Sequence, residues 1–236
     1  MLTATIYENL SLLKDLGQKQ LTVLIDPDKF DESQAEEFFN NLPEDVTHLF
    51  IGGSTVEANK TGITVAAIKL FSELPIIIFP GDYTQITEKA DGLLFLSLLS
   101  GRNPEYLIEQ QVKSVSRLKN SNLEIIPTGY ILIDGGNESA VQRISSTQPM
   151  SQNNIEAIVN TALAGQFSGK QLIYLEAGSG AINHVSMEII QEVKNVLSIP
   201  LIVGGGIKNS TQLNAIYNAG ADMAVIGTAF EKRNFK

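Results

Sequence analysis

Apolar residues along this chain are concentrated in eight short runs rich in branched aliphatic side chains. The runs do not alternate with polar residues, and they cover residues 21–26, 46–51, 75–79, 91–96, 123–127, 172–176, 200–203 and 222–226. Short, continuous apolar runs are typical of parallel strands that are buried on both faces. The pattern therefore predicts eight parallel strands.

Helical patterns lie between most of these strands. One helix is predicted by apolar residues at helical spacing, namely Ile189, Ile190, Val193, Val196 and Leu197. Asp31 and Gln34 predict a capping box, and Ser210 predicts the N-cap of a helix that Gly220 ends. Strands that alternate with helices predict an α/β protein, a closed (β/α)8 TIM barrel with its site at the C-terminal ends of the strands.

Three segments depart from an ideal barrel. Residues 80–90, between the third and fourth strands, open with Pro-Gly-Asp and have room for two helical turns at most, so we expect this crossover helix to be shortened or replaced. Residues 136–153 are polar and are predicted to be a functional or mobile loop over the barrel mouth. Leucines before residue 20 predict a helix that plugs or flanks the barrel.

Length and composition indicate one soluble globular domain over residues 1–236, because such barrels run to about 200–250 residues. No apolar run reaches the roughly 20 residues of a membrane span, and the N-terminus lacks secretory-signal features, so we expect a cytoplasmic protein. The absence of cysteine excludes disulfides and thiolate chemistry. A net charge of -9 argues against a nucleic-acid partner. An anionic ligand would need backbone amides and a divalent cation.

Glycines follow three of the predicted strands in the last third of the chain. They lie in Tyr174–Ala181, Leu201–Ile207 and Met223–Ala229. Glycine-rich strand ends at a barrel mouth expose backbone N–H groups, and several together form a phosphate cradle. The alternative, tight turns without a ligand, is less consistent with three coinciding strand ends.

Two further strand ends carry oxygen ligands for a cation. Asp26 ends the first strand and is a natural Mg²⁺ ligand, although a cap of the following turn explains it about equally well. The second strand ends in Gly-Gly followed by Ser54 and Thr55, which offer hydroxyls to a metal or a phosphate.

Glu176 is the strongest candidate for acid–base chemistry. It is the only carboxylate in its apolar run, so we expect it to accept a hydrogen bond from a substrate hydroxyl or act as general base, with a paired rim carboxylate as the alternative. His48 and His184 are explained by core packing and capping. Arg102 is either a diphosphate contact or a solvated loop residue. Four aromatic residues line an apolar groove or belong to the core: Phe79, Tyr83, Phe95 and Tyr106.

Six segments, in this order, carry a family resemblance: Asp26–Lys29, Ile51–Ser54, Ser100–Glu105, Ile126–Tyr130, Tyr174–Gly180 and Val203–Ile207. Together they resemble the geranylgeranylglyceryl phosphate synthases, which are PcrB-like prenyltransferases. The resemblance spans nearly the whole chain and is greatest to the longer, second group of that family, found in archaea and some bacteria. Its most specific motifs are Tyr-Leu-Glu-Ala-Gly-Ser-Gly and the downstream Gly-Gly-Gly-Ile.

The resemblance implies transfer of a polyprenyl group, geranylgeranyl above all, from its diphosphate to the 3-hydroxyl of sn-glycerol 1-phosphate. Diphosphate is released and an ether-lipid precursor forms. It implies that Asp26 and Ser54 bind Mg²⁺. From the chemistry of the reaction, we expect Glu176 to orient and deprotonate the hydroxyl. The implied glycerol phosphate site consists of Tyr174, Leu175, Glu176, Ala177, Gly178, Ser179, Gly180, Gly205, Gly206, Gly227 and Thr228. A dimer or hexamer is expected, as is peripheral membrane contact for the lipid product.

At two positions this chain departs from the family pattern, which limits the residue roles that the resemblance implies. First-group enzymes have a lysine two residues before the metal aspartate, where this chain has Leu24, so that phosphate contact is lost. Family members often have Asn at the position of Thr228. We still assign Thr228 to the glycerol phosphate site, because a backbone N–H can make the phosphate contact. Two alternatives to prenyl transfer remain: a phosphosugar isomerase or lyase on the same barrel, and a noncatalytic phosphate-ligand binding protein.

Overall fold

The computed structural model describes residues 4–227 and Phe230, and the fold is given for that part of the chain. The strands are β1 (Gln20–Ile25), β2 (Val46–Ile51), β3 (Ile76–Ile78), β4 (Gly92–Leu98), β5 (Glu124–Leu132), β6 (Leu172–Glu176), β7 (Leu201–Gly204) and β8 (Met223–Ile226). The helices are α1 (Ile6–Asp15), α2 (Ala35–Asn40), α3 (Lys60–Ile68), α4 (Gln110–Leu118), α5 (Ala140–Ser145), α6 (Ile155–Phe167), α7 (Met187–Val196) and α8 (Ser210–Ala219).

The strands form a closed parallel barrel in sequence order, and β8 pairs with β1 to close it. The predicted fold is therefore confirmed, including the eight strands and their order. β5 extends to Leu132, well past the apolar run that predicted it, because Thr128 and Gly129 continue the ladder with β6. Polar and small residues inside a buried strand hide its true end from a hydrophobicity pattern.

Two sets of side chains pack on opposite faces of the barrel wall. One set fills the interior, and the other lies between the strands and the surrounding helices. Helix α1 covers the N-terminal end of the barrel, where Leu10 packs with the interior set, while Leu12 and Leu16 remain exposed. The N–H groups of Ile6 and Tyr7 donate to the Glu124 carboxylate at 2.5 and 2.7 Å, which fixes this helix to the start of β5.

The crossover between β3 and β4 contains one 3₁₀ turn, Tyr83–Gln85, in place of a helix. This confirms the predicted irregularity. Asp82 caps the turn by accepting from the Thr84 N–H at 2.7 Å. Since no helix follows β3 here, the outer face of β4, carrying Leu93 and Phe95, is bordered by this turn and by α4, and a groove opens along it.

Several local predictions need correction. Asp31 caps a 3₁₀ turn, Glu32–Gln34, and the Gln34 amide donates to the Asp31 carboxylate, so the reciprocal bond of a capping box is not made. The N-cap of α8 is Asn209, because its side chain accepts from the Gln212 N–H; Gly220 does end that helix, at φ +119°.

The segment 136–153 also differs from the predicted loop. It contains the short helix α5, whose N-cap is Ser139. The helix is short and interrupted by polar residues, so its apolar pattern is weak. Four of its residues, Ala140, Val141, Ile144 and Ser145, line the cavity at the barrel mouth, which confirms that the segment lies over the mouth.

Candidate active site

A cavity of about 590 Å³ opens at the C-terminal ends of the strands. One part lies over the barrel interior and is lined by the strand ends and the loops after β6, β7 and β8. The other part follows the outer face of β4 between the 3₁₀ turn and α4. A polar mouth is therefore continuous with an apolar groove.

Glu176 lies at the end of β6, at the floor of the mouth, and is only 6% exposed. Burial raises the pKa of its carboxyl, while the nearby Tyr174 hydroxyl and the Gly178 N–H, which donates to Oε1 at 2.7 Å, oppose that rise. No cation forms an ion pair with this carboxylate in the described part of the chain. Glu176 is thus a buried acid at the mouth, and the alternative of a paired rim carboxylate is wrong.

Three aromatic rings form the floor beside this carboxylate. Phe79 stacks on Tyr174 with ring centroids 5.4 Å apart, and Tyr130 packs edge-on against Tyr174 at the same distance. The buried Tyr174 hydroxyl lies beside the Glu176 carboxylate, and the two groups interact, since each shifts the pKa of the other. The sequence did not predict Tyr130 as a residue of the site, because β5 was expected to end before it.

The glycines after β7 are required by close packing against the end of β6. Gly205 has φ +82°, and a Cβ there would come within 2.5 Å of Glu176 Oε1 and 2.6 Å of the Gly178 nitrogen. Gly206 has φ +71°, and a Cβ there would meet the backbone of Asn183 and His184 at 2.9 Å. These glycines let the β7 loop lie directly against the β6 loop and keep the Glu176 carboxylate in place.

Most of the predicted glycerol phosphate residues line the mouth: Tyr174, Glu176, Ser179, Gly180, Gly205, Gly206 and Gly227. Leu175, Ala177 and Gly178 do not line it. Leu175 packs between the sheet and the helices, and the Ala177 and Gly178 N–H groups donate to the Gly204 carbonyl and to Glu176. Thr228 lies outside the described residues.

Asp26 and Ser54 line the opposite side of the same mouth, at the ends of β1 and β2. Asp26 accepts from the Asp28 N–H at 3.1 Å and pairs with Lys29 at 2.8 Å, so it caps its turn as the alternative interpretation expected. The β2 end lies against it, since a Cβ on Gly53 would be 3.1 Å from Asp26 Oδ1.

Oxygen donors of this kind, a carboxylate and a hydroxyl, suit Mg²⁺, which commonly uses one or two carboxylates and completes its shell with substrate phosphates. Within residues 4–227 there is no group of three or more His, Cys, Asp or Glu side chains that could hold a metal by itself. The residues present therefore fit a cation that is shared with a phosphorylated substrate.

The four aromatic candidates line the cavity, whereas Arg102 does not. Phe79, Tyr83, Phe95 and Tyr106 all line the cavity, which confirms the apolar-groove interpretation. Arg102 is exposed, donates to the carbonyls of Leu99 and Gly101 at 3.2 and 2.7 Å, and does not line the cavity.

The two histidines take different places. His48 is buried in β2 inside the barrel, as predicted. His184 does not cap a helix, because its Nδ1 lies 2.8 Å from the Val185 carbonyl and Ser186 is the N-cap of α7.

The fold and the site define a (β/α)8-barrel enzyme with a glycine-rich mouth. A family model described as the PcrB family matches residues 14–235, and the chain belongs to that family. It is 61% identical over 221 residues to the geranylgeranylglyceryl phosphate synthase of Zunongwangia profunda, covering 94% of each chain. It is 49% identical to the enzyme of the same name from Flavobacterium johnsoniae, covering 96% of this chain and 94% of that one. These relatives are prenyltransferases.

A solved structure has the same fold. The (S)-3-O-geranylgeranylglyceryl phosphate synthase of Thermoplasma acidophilum, in complex with its substrate sn-glycerol-1-phosphate, superposes with a TM-score of 0.90 at 32% identity. The match covers 98% of this chain and 93% of that one. Within the described residues, no helix is both long and apolar enough to cross a membrane.

Proposed function

We propose that this protein is a Mg²⁺-dependent prenyltransferase that joins a polyprenyl group, geranylgeranyl above all, to the 3-hydroxyl of sn-glycerol 1-phosphate. The single observation that carries the proposal is the buried, unpaired carboxylate of Glu176 where a glycine-rich mouth meets an apolar groove. The names of the relatives, and the substrate held by the Thermoplasma acidophilum enzyme, support it.

The acceptor half of the site is the side of the mouth formed by the loops after β6, β7 and β8. The backbone of Gly180, Gly205 and Gly206 lies open to the cavity and suits a phosphate, which leaves the glycerol hydroxyls directed toward the floor. Glu176 accepts a hydrogen bond from the 3-hydroxyl there and takes its proton as the new bond forms. A raised pKa makes this carboxylate a stronger base than a solvated one.

The donor half of the site is the side with Asp26 and Ser54. These residues would hold Mg²⁺, which supplies charge neutralisation to a departing diphosphate. The bond between the allylic carbon and the diphosphate oxygen breaks, and the leaving group keeps the electron pair. The glycerol oxygen forms the new carbon–oxygen bond, and its proton goes to Glu176. Atoms and charges therefore balance without a further reactant.

The groove beside β4 suits the prenyl tail. Its walls include Tyr83, Ile86, Leu93, Phe95 and Tyr106, and each methylene that it buries is worth about 0.8 kcal/mol. The groove also has polar lining, because Gln111, whose amide donates to the Leu96 carbonyl at 2.7 Å, lines the cavity together with Ser114. We infer that the length of tail that the groove holds sets the preferred donor.

The isomerase alternative needs a second acid or base opposite Glu176. The other carboxylates that line the cavity are Asp26, paired with Lys29, and Asp82, which caps the 3₁₀ turn. Neither is free for acid–base work, so prenyl transfer is favoured. A binding protein would also place a buried acid against a ligand hydroxyl, so product formation in the donor-length series distinguishes the two functions.

A donor-length series tests the proposal. Purified protein, Mg²⁺ and radiolabelled sn-glycerol 1-phosphate are incubated with C15, C20 or C35 prenyl diphosphate, and the organic phase is counted. We expect label in that phase only when donor and Mg²⁺ are present, with C20 the best donor. No extractable label with any donor would contradict the proposal.

Three further expectations stay predictions. Fractionation tests the cytoplasmic location, light scattering tests the dimer or hexamer, and liposome flotation tests peripheral membrane contact.

A further inference from the structure

Positive charge is scarce at the mouth. The charged side chains that line the described cavity are three acids, Asp26, Asp82 and Glu176, and two lysines, Lys29 and Lys208. Lys29 forms an ion pair with Asp26 at 2.8 Å. Both proposed substrates are anions, so the acceptor half needs a cation of its own, since the protein as a whole is negative.

Lys208 occupies the place where such a cation is needed. It follows Gly205, Gly206 and Ile207 in the loop after β7, and its backbone N–H donates to Gln212 in the first turn of α8. Its Nζ donates to the Ile182 carbonyl at 2.8 Å, in the loop after β6. The ammonium group therefore bridges the two loops that form the acceptor half of the mouth.

The charge of Lys208 is not compensated. No carboxylate of the described chain lies within 4.0 Å of its Nζ. Its partner, a neutral carbonyl, is a weaker acceptor than a phosphate oxygen, because charge-assisted hydrogen bonds are roughly twice as strong as neutral ones. The side chain is exposed and unbranched, so exchanging one acceptor for the other requires only rotation about side-chain bonds.

We propose that Lys208 binds the phosphate of the glycerol phosphate acceptor, leaving the Ile182 carbonyl when the ligand enters between the two loops. This inference rests on the proposed function, since it assigns a residue to the acceptor half of that site. It also gives the enzyme a cation on the acceptor side that is separate from the Asp26 and Ser54 pair on the donor side.

Binding measured without turnover tests it. The dissociation constants of sn-glycerol 1-phosphate and of inorganic phosphate are measured by calorimetry for the wild type, Lys208→Gln and Lys208→Arg. Lys89→Gln is the matched control, because Lys89 is also exposed and donates to a backbone carbonyl, that of Gly62 at 3.2 Å, but does not line the cavity. Both Gln variants change the net charge equally.

Lys208→Gln is expected to weaken glycerol phosphate binding by about 10-fold and to reduce its dependence on salt, as loss of one charged hydrogen bond predicts. Lys208→Arg should restore most of the affinity, and Lys89→Gln should match the wild type. In turnover, the KM for glycerol phosphate should rise while the KM for the prenyl diphosphate and kcat stay unchanged.

Each other outcome is decisive. Unchanged binding in Lys208→Gln, with product still formed, would overturn this inference and leave the proposed function standing. Equal weakening in the Gln and Arg variants would also overturn it, because the lysine would then act only as a tether between the loops. A wild-type protein that binds neither ligand would overturn both this inference and the acceptor half of the proposed function.

Discussion

Adding one methyl group at Gly205 tests whether the two mouth loops hold Glu176 as described. Alanine at φ +82° costs about 1–2 kcal/mol in backbone strain. Its Cβ would also lie 2.5 Å from Glu176 Oε1 and 2.6 Å from the Gly178 nitrogen. Overpacking of this kind typically costs about 1–3 kcal/mol more. Gly205→Ala should therefore destabilise the protein by about 2–5 kcal/mol in total.

Gly17→Ala separates strain from crowding. Gly17 has a similar φ of +68° but no atom within 4 Å of an added Cβ, and it lies in the turn after α1, away from the mouth. Urea unfolding should show a loss of about 1–2 kcal/mol for this control and a clearly larger one for Gly205→Ala. Prenyl transfer should fall by about 100-fold in Gly205→Ala, because the base is displaced, and should be unchanged in Gly17→Ala. Equal stabilities and equal activities would refute the packing argument.

Three further predictions concern single side chains. Glu176→Gln should abolish turnover and keep glycerol phosphate binding, and a variant with normal kcat would contradict the assignment of Glu176 as the base. The same variant should have a higher Tm at neutral pH, because burial raises the pKa of the Glu176 carboxyl and its ionised form destabilises the fold. Burial lowers the pKa of His48 to about 4, so the wild type should lose about 3 kcal/mol of stability as pH falls from 6.5 to 4. Urea unfolding across that pH range should show that His48→Phe lacks this loss. Asp26→Asn should raise the Mg²⁺ concentration that gives half-maximal activity without changing glycerol phosphate affinity by calorimetry, and an unchanged Mg²⁺ requirement would remove Asp26 from the metal site.

The sequence predicted most of the barrel because buried parallel strands leave continuous apolar runs. It also located the mouth, since glycines at strand ends are needed where loops pack closely, as Gly205 does against Glu176. Strand ends that carry polar or small residues were harder to predict. Because Thr128 and Gly129 interrupt the apolar run, the sequence did not predict the last part of β5, which carries Tyr130. Tyr130 packs against Tyr174 on the floor of the site.

The sequence also does not show which segments become neighbours in the folded protein. The groove beside β4 exists because the β3–β4 crossover is a single 3₁₀ turn, and its walls come from segments far apart in sequence, including Leu93 and Ser114. Lys208 is an ordinary surface lysine by sequence. Only its place between the Ile182 carbonyl and the mouth distinguishes it. Spacing along a chain cannot report which charges remain uncompensated after folding.

The central claim is that Glu176 takes the proton of the 3-hydroxyl when a glycerol phosphate held by the glycine-rich loops accepts the prenyl group. The most direct test is mass spectrometry of the product from wild-type protein with Mg²⁺, geranylgeranyl diphosphate and either sn-glycerol 1-phosphate or its 3-phosphate enantiomer. We predict one ether product, geranylgeranylglyceryl phosphate, from the 1-phosphate, with none from Glu176→Gln. Equal product from both enantiomers, or full product from Glu176→Gln, would contradict the account.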